Sequence, residues 1–431
     1  MQQTIHPAGS LRGTLTVPGD KSISHRAVML GALAEGKTEI RGFLQGEDCL
    51  STLQAFRALG ITIQITDEVI TIEGRGLDGL TEPENVIDVG NSGTTMRLLS
   101  GILAGQTFTT FLTGDASIRK RPMGRVITPL TQMGAHITGR QQNTLAPLAI
   151  EGSSLTAITY HTPVASAQVK SAILLAGLYA PGWTTVYEPA PSRDHTELML
   201  RAFGAEVETL PGGVRVKGRP HLQGQNLTIP GDISSAAYVL VAGAIVPNSR
   251  IIVENVGLNP TRTGILTVLQ QMGAKLTLLE EWQSGGEPVG NILVESSTLK
   301  GITIGGDIIP TLIDEIPVIA VAAAYAEGIT EIHDAQELKV KESDRLETIA
   351  QGLRAFGCSI DVLEDGLRIE GGQPLHGAHC QSYGDHRIAM AMAVAALAAE
   401  GETHIDDFEA VAVSWPQFLN AFKQLAGEND A

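Results

Sequence analysis

A helix–strand unit recurs six times along this chain, and the leading helices of most units have no polar face. ILLAGLYA, YVLVAGAIV, VIAVAAAYA and AMAMAVAAL are apolar all round. A helix of that kind has to be covered on every side. The leading helices are expected to run out near Gly36, Gly105, Gly182, Asn248, Gly328 and Gly401, at intervals of 66 to 80 residues. A second helix follows in each unit. Five of these end in similar text, RALGI, TQMGAHI, RAFGAEV, QQMGAKL and RAFGCSI, at Gly60, Gly134, Gly204, Gly273 and Gly357. Glycine there accepts the left-handed conformation that stops a helix. The sixth is expected to stop near Gly427.

Segments 17–34 (VPGDKSISHRAVMLGALA) and 229–246 (IPGDISSAAYVLVAGAIV) are the closest internal match, 212 residues apart. Two domains of three units each are the natural reading of such a repeat. Intervening β-type stretches such as TIQIT and IIVEN suit sheets laid outside the helices. The expected class is therefore α/β, with buried helices and outer sheets in βαβαββ-type units.

The chain has 30 basic and 47 acidic residues, a net charge of -17. That balance, with an aromatic share of only 4 %, opposes nucleic-acid binding and anionic membranes. Any anionic substrate has to be held by basic residues gathered locally. Cys49, Cys358 and Cys380 form an odd, sparse set without a C-x-x-C pair, which argues for a reducing compartment and against a zinc cluster. The start shows no signal-peptide pattern. The longest strongly apolar run, 388–399, is too short to span a bilayer. The expectation is a cytoplasmic protein.

The polar residues of each unit gather just before its helices, where unpaired N–H groups and the helix dipole favour anions. Residues 19–26 place Lys21, Ser22 and Arg26 at the first such start. A cap explains neither cation, because positive charge there opposes the dipole. Residues 91–97 (NSGTTMR) combine good caps with a glycine that admits a ligand to the backbone. Segment 114–125 carries Arg119, Lys120, Arg121 and Arg125, conspicuous in an acidic chain. Ser166 reads as a cap, whereas Gln168 suits sugar hydroxyls or phosphate oxygens. His195, after Arg193 and Asp194, reads as packing before proton shuttle. Asp314 and Glu315 precede a buried helix, as caps or as a general base. Glu342 and Arg345, three apart, share a helix face, and Arg387 stands at another buried helix start. Residues 74–79 match G-x-G-x-x-G but lead toward Pro83 rather than into a helix, so they are no dinucleotide fingerprint.

The segments PGDKSISHR, NSGTTMRLL, KRPMGRV, SAQVKSAILLAGL, SRDHTE, IDEIP, VKESDRL and DHRIAM resemble the signature segments of the 5-enolpyruvylshikimate-3-phosphate synthase family, in the family's order. The resemblance runs from residue 17 to residue 420. It implies a two-domain inside-out α/β barrel, with domains 18–229 and 1–17 plus 230–431 and the active site in the cleft between them. It implies transfer of the enolpyruvyl group of phosphoenolpyruvate to shikimate 3-phosphate. Carried over motif by motif, Lys21, Ser22, Arg26, Ser166, Gln168, Arg193, Asp314 and Lys341 are the expected shikimate 3-phosphate contacts. Lys21, Gly93, Arg121, Gln168, Glu342, Arg345 and Arg387 are the expected phosphoenolpyruvate contacts. Asp314, Glu342 and Lys21 are the expected catalytic groups. The resemblance implies no metal, no organic cofactor and a monomer. SAQ and NSGTTMRLL are similar to the family's second sequence class. The first class has proline at the position of Leu98 and a lysine near Val413, and that lysine is absent here.

Two alternatives stand beside this reading. A UDP-N-acetylglucosamine enolpyruvyl transferase shares the fold, but usually carries a cysteine in the loop corresponding to 114–125, and this loop has none. A non-catalytic phosphosugar-binding scaffold would gain nothing from Asp314 and Glu342.

Overall fold

A computed structural model describes residues 1–66 and 69–427. The chain divides into two compact units. One comprises Gly19–Ile229 with Ser284–Glu287, and the other Met1–Pro18, Pro230–Gln283 and Pro288–Ala431. They are called here the Lys21 unit and the Asp314 unit. Each has its own apolar core, one drawn from Ile23 through Ile229, the other from Ile5 through Val17 and Ile233 through Leu425.

The Lys21 unit has three four-stranded sheets around three leading helices, Lys21–Leu33, Gly93–Ala104 and Ala167–Gly177. The Glu35–Arg41 sheet runs Asn226–Thr228, Glu35–Arg41, Val69–Arg75, Thr62–Ile65. The other two centre in the same way on Thr109–Thr113 and Leu145–Glu151, and on Trp183–Tyr187 and Gly213–Lys217. In each, one parallel pair is followed by an antiparallel meander.

The Asp314 unit repeats the plan around Ile233–Ile245, Ile316–Ala324 and His386–Ala398. Its last sheet has three strands, and the chain's first strand, Gln3–Ile5, lies antiparallel to Thr403–Asp406 where the other sheets have their meander.

The two halves exchange a strand. Elsewhere the strand before a leading helix pairs in parallel with the strand after it. Arg12–Thr16, which precedes Lys21–Leu33, instead pairs with Arg250–Gly257, while Asn226–Thr228 pairs with Glu35–Arg41. Parallel pairs need long crossovers, and here the crossovers span half the chain.

All nine residues of Ile316–Ala324 are buried, as are Ile233 through Ala244 and His386 through Leu397. No described helix is long and apolar enough to cross a membrane. The second helices stop as the sequence implies. Gly60, Gly134, Gly204, Gly273 and Gly357 all have positive φ. The residue after each donates its N–H five residues back, as in Ala135 N to Leu130 O at 3.0 Å and Ala274 N to Leu269 O at 2.9 Å, which is the Schellman pattern. The leading helices differ from expectation. One stops at its marker, Gly105, but the other five end three to five residues before theirs, at Leu33, Gly177, Ile245, Ala324 and Ala398. Gly36, Gly182, Asn248, Gly328 and Gly401 have positive φ in the turn or strand that follows. Those residues mark the entry to a strand, not a helix cap.

Small residues let the inner helices touch backbone to backbone. A Cβ on Gly101 would stand 2.2 Å from the carbonyl oxygen of Ala172. Overpacking against backbone finds no flexible group to yield, so Gly101→Ala is expected to lower unfolding free energy by about 3 kcal/mol in urea titration. An unchanged midpoint would contradict this packing.

Candidate functional site

Asp20 and Asp232 hold the starts of two leading helices in the same way. Asp20 Oδ1 accepts from Ile23 N at 2.8 Å, and Asp232 Oδ1 from Ser234 N at 2.9 Å. The carboxylate fills the place an anion would take at the helix start, and the residues that follow present their side chains around it.

In the Lys21 unit, Lys21 Nζ lies 2.9 Å from Asp48 Oδ2 on the Glu47–Ala58 helix. Arg26 is buried. It donates to Thr196 Oγ1 at 2.6 Å, Ser171 Oγ at 2.8 Å and Ser22 O at 2.9 Å. Burial pulls its guanidinium down to about 10, against the pull of Glu197 and Asp20, which leaves it charged at neutral pH. Gln168 accepts from Arg97 Nη1 at 2.5 Å and donates to Thr94 Oγ1 at 3.1 Å. Arg121 donates to Asn91 Oδ1 at 2.5 Å and Ser117 Oγ at 3.3 Å. Gly93 lies between these arginines: a Cβ there would meet Arg97 Nη1 at 2.9 Å and Arg121 Nη1 at 3.2 Å. Gly93, Arg97, Arg121 and Gln168 thus form one cluster. Of the four cations in 114–125, only Arg121 is buried. Ser166 departs from the sequence reading, since its side chain closes no cap bond and is half-buried. Arg193 is half-buried in the segment before His195–Ala202. His195 is buried, with Nδ1 2.7 Å from Glu287 Oε1.

In the Asp314 unit, three cations face one carboxylate. Lys341 Nζ and Arg345 Nη1 each lie 3.5 Å from Asp314 Oδ1, and Arg387 Nη2 lies 4.0 Å from Oδ2. Arg387 Nη1 also donates to the Asp314 carbonyl at 3.1 Å. Arg345 pairs with Glu342 at 2.5 Å and with both oxygens of Asp385, at 2.9 and 3.2 Å. The Glu342–Arg345 pair forms as the spacing implies, although Glu342 precedes the Arg345–Ala355 helix rather than lying on it. Burial opposes the charge on Arg345, but Asp385 and Glu342 outweigh it and hold the group above its usual value. Asp314 does the same for Arg387. Burial pulls the Lys341 ammonium below its ordinary value, with Asp314 only partly offsetting it. Beneath these lies a second layer. Arg262 donates to Ser234 Oγ at 2.6 Å and Asp232 Oδ1 at 3.3 Å, and Ser234 Oγ donates to Glu315.

Sequence reasoning did not assign roles to Asp48, Arg97, Lys170, Arg262 or Asp385. Asp385 and Arg97 stand inside motifs already quoted, and Asp385 is an N-cap as its place before an apolar helix suggests. Asp48 has no such signal, since only the fold brings its helix beside Lys21. Among the described residues no group of three or more metal-capable side chains occurs.

The chain shares its fold with solved structures of an enolpyruvyl transferase and of an EPSP synthase. The enolpyruvyl transferase NikO from Streptomyces tendae superposes with a TM-score of 0.79 at 18 % identity, over 98 % of this chain and 96 % of that one. EPSP synthase from Acinetobacter baumannii superposes with a TM-score of 0.88 at 47 % identity, over 98 % of both chains. A curated 3-phosphoshikimate 1-carboxyvinyltransferase from Desulforamulus reducens is 57 % identical over 429 residues, 99 % of this chain and 100 % of the relative. The profile of the EPSP synthase family (3-phosphoshikimate 1-carboxyvinyltransferase) matches residues 5–422, and the chain belongs to that family.

One buried histidine ties the helix starts together. His25 Nδ1 lies 2.6 Å from Thr52 Oγ1, Thr52 2.7 Å from Thr95 Oγ1, and Thr95 2.6 Å from Ser92 Oγ. Burial first, then Lys21 and Arg26, push the His25 pKa well below the ordinary value. An unfolded histidine takes up its proton near pH 6.5 and the folded one does not. The stability tied to neutral His25 is thus present above that pH and lost below it, by up to about 1.4 kcal/mol per pH unit. Urea melts down a pH series from about 7.5 to about 5 should show a shallower loss for His25→Asn than for the parent. Equal slopes would contradict the assignment.

Proposed function

We propose that the chain transfers the enolpyruvyl group of phosphoenolpyruvate to the 5-hydroxyl of shikimate 3-phosphate by addition and elimination, releasing phosphate. The observation that carries the reading is a buried carboxylate, Asp314, faced by Lys341, Arg345 and Arg387, in a chain of this family. Pure anion binding would have no use for that carboxylate. The chemistry does, because a hydroxyl has to lose a proton beside several negative groups.

In this proposal Lys21, Ser22, Arg26, Ser166, Gln168, Arg193, Asp314 and Lys341 bind shikimate 3-phosphate. Lys21, Gly93, Arg121, Gln168, Glu342, Arg345 and Arg387 bind phosphoenolpyruvate. The guanidinium forks suit phosphate and carboxylate oxygens. Holding both substrates so removes much of the entropy of a bimolecular step. Asp314 takes the proton of the 5-hydroxyl as that oxygen bonds to C2 of phosphoenolpyruvate. C3 receives a proton from Glu342 or Lys21, giving a tetrahedral intermediate. The new methyl group then returns a proton as the C2–O bond to phosphate breaks and the double bond re-forms. The cations stabilise the charge that gathers on the departing phosphate. Three free, buried cysteines agree with the further proposal of a cytoplasmic enzyme.

The test is phosphate release with both substrates and with each omitted. Release that needs both supports the reading, and binding without release rejects it. In the same assay Asp314→Asn is expected to bind substrates but turn over about 100-fold more slowly, or worse. Full activity would remove Asp314 from the role of base. Glyphosate is expected to inhibit in competition with phosphoenolpyruvate, and Gly93→Ala to weaken that inhibition, since the methyl group would crowd Arg97 and Arg121. Steady-state inhibition constants that do not differ would contradict this use of Gly93.

A further inference from the structure

Lys170 lies in the SAQVKS segment with Ser166 and Gln168, yet its side chain is 4 % exposed and is turned to protein partners. Its ammonium has three partners. Nζ stands 2.8 Å from Glu188, 2.9 Å from Glu197 and 3.2 Å from the carbonyl oxygen of Ser192. An ammonium has three N–H donors and no acceptor, so these partners use its full capacity. Burial works against the charge, but Glu197 and Glu188 outweigh it and raise the pKa. The ammonium is charged and saturated by protein.

The three partners bracket one stretch of chain. Glu188 follows Trp183–Tyr187, and Glu197 lies in the first turn of His195–Ala202. Ser192 sits between them, and its own hydroxyl donates to Glu188 Oε1 at 2.5 Å. Arg193 is the next residue. The neighbouring pair adds a second tie, because Ser171 Oγ lies 2.7 Å from Thr196 Oγ1 and both accept from Arg26. One buried charge therefore closes a ten-residue segment, 188–197, onto the Ala167–Gly177 helix, with Arg193 carried between the points of attachment.

We propose that Lys170 is a positioning residue that sets where Arg193 meets the phosphorylated cyclic acid. The inference rests on the assignment of Arg193 to shikimate 3-phosphate above. A segment held at 188, 192 and 197 presents Arg193 in one place before substrate arrives. Released, the segment has to be ordered by the substrate itself, and binding of that substrate alone weakens. Phosphoenolpyruvate, assigned to other side chains, keeps its affinity.

Removing Lys170 alone would strand two buried carboxylates and endanger folding. The test uses Lys170→Met with Glu188→Gln and Glu197→Gln, and separately Glu188→Gln, which leaves Lys170 paired with Glu197. Arg193→Ala is measured beside them. For the triple variant KM for shikimate 3-phosphate is expected to rise about tenfold, with KM for phosphoenolpyruvate and kcat within about twofold, the pattern of lost ground-state binding. Glu188→Gln is expected to move the same constant in the same direction by less, and it decides the matter if the triple variant does not fold. A merely structural role would depress kcat or raise both KM values together, and either result overturns the proposal. If Arg193→Ala leaves KM for shikimate 3-phosphate unchanged, the assignment of Arg193 fails first. If Arg193→Ala raises it and the Lys170 and Glu188 variants do not, the positioning role fails alone.

Discussion

Arg345 is the largest fully buried side chain among the described residues, and its guanidinium stays there because Asp385 takes two of its N–H groups while Glu342 and Asp314 flank it. A buried ion so far from water is costly unless its partners satisfy it almost completely. Asp385 has its own reason to be in that place, since it caps the His386–Ala398 helix through Arg387 N at 3.0 Å. The cap thereby fixes the arginine, and the arginine fixes Glu342 and Asp314, the two carboxylates of the proposed chemistry. Removing any member leaves a charge stranded.

The Lys21 unit solves the same problem with different residues. Its cations stand at helix starts, where the dipole disfavours them. Lys21 is therefore met by Asp48, Arg121 by Asn91, and Arg26 by hydroxyls and a carbonyl. Hydroxyls, a carbonyl and an amide oxygen hold the two guanidinium groups of Arg26 and Arg121 in place, and Glu197 and Asp20 support the charge on Arg26. The acidic total of the chain makes this placement more telling, because positive charge is scarce and much of it is spent at these helix starts.

Much of this could be read in the sequence. All-round apolar helices and phased glycines gave the repeat, and the second helices stop at the glycines named for them. The second leading helix stops at its expected Gly105, but the ends of the other five were misplaced by a few residues because a glycine or asparagine with positive φ serves equally well at a helix end or at the entry to a strand, and local text does not separate the two. The site residues were legible where a motif held them, as with Arg345 and Glu342. Asp48 was not, because its link to Lys21 exists only once two helices pack. Lys170 stands in the same motif as Ser166 and Gln168, and its burial and three acceptors set it apart from them. The capping role read for Ser166 failed because its hydroxyl does not turn back to the helix.

The central claim is that the anion-binding groups are held in place by the protein before any substrate arrives. A crystal structure of the chain with shikimate 3-phosphate bound tests it most directly. The account predicts that the phosphate meets Lys21, Ser22, Arg26 and Arg193 while the Arg345–Asp385 and Arg26–Thr196 contacts persist unaltered. A ligand seated away from these helix starts, or those contacts broken and remade around it, would contradict the claim.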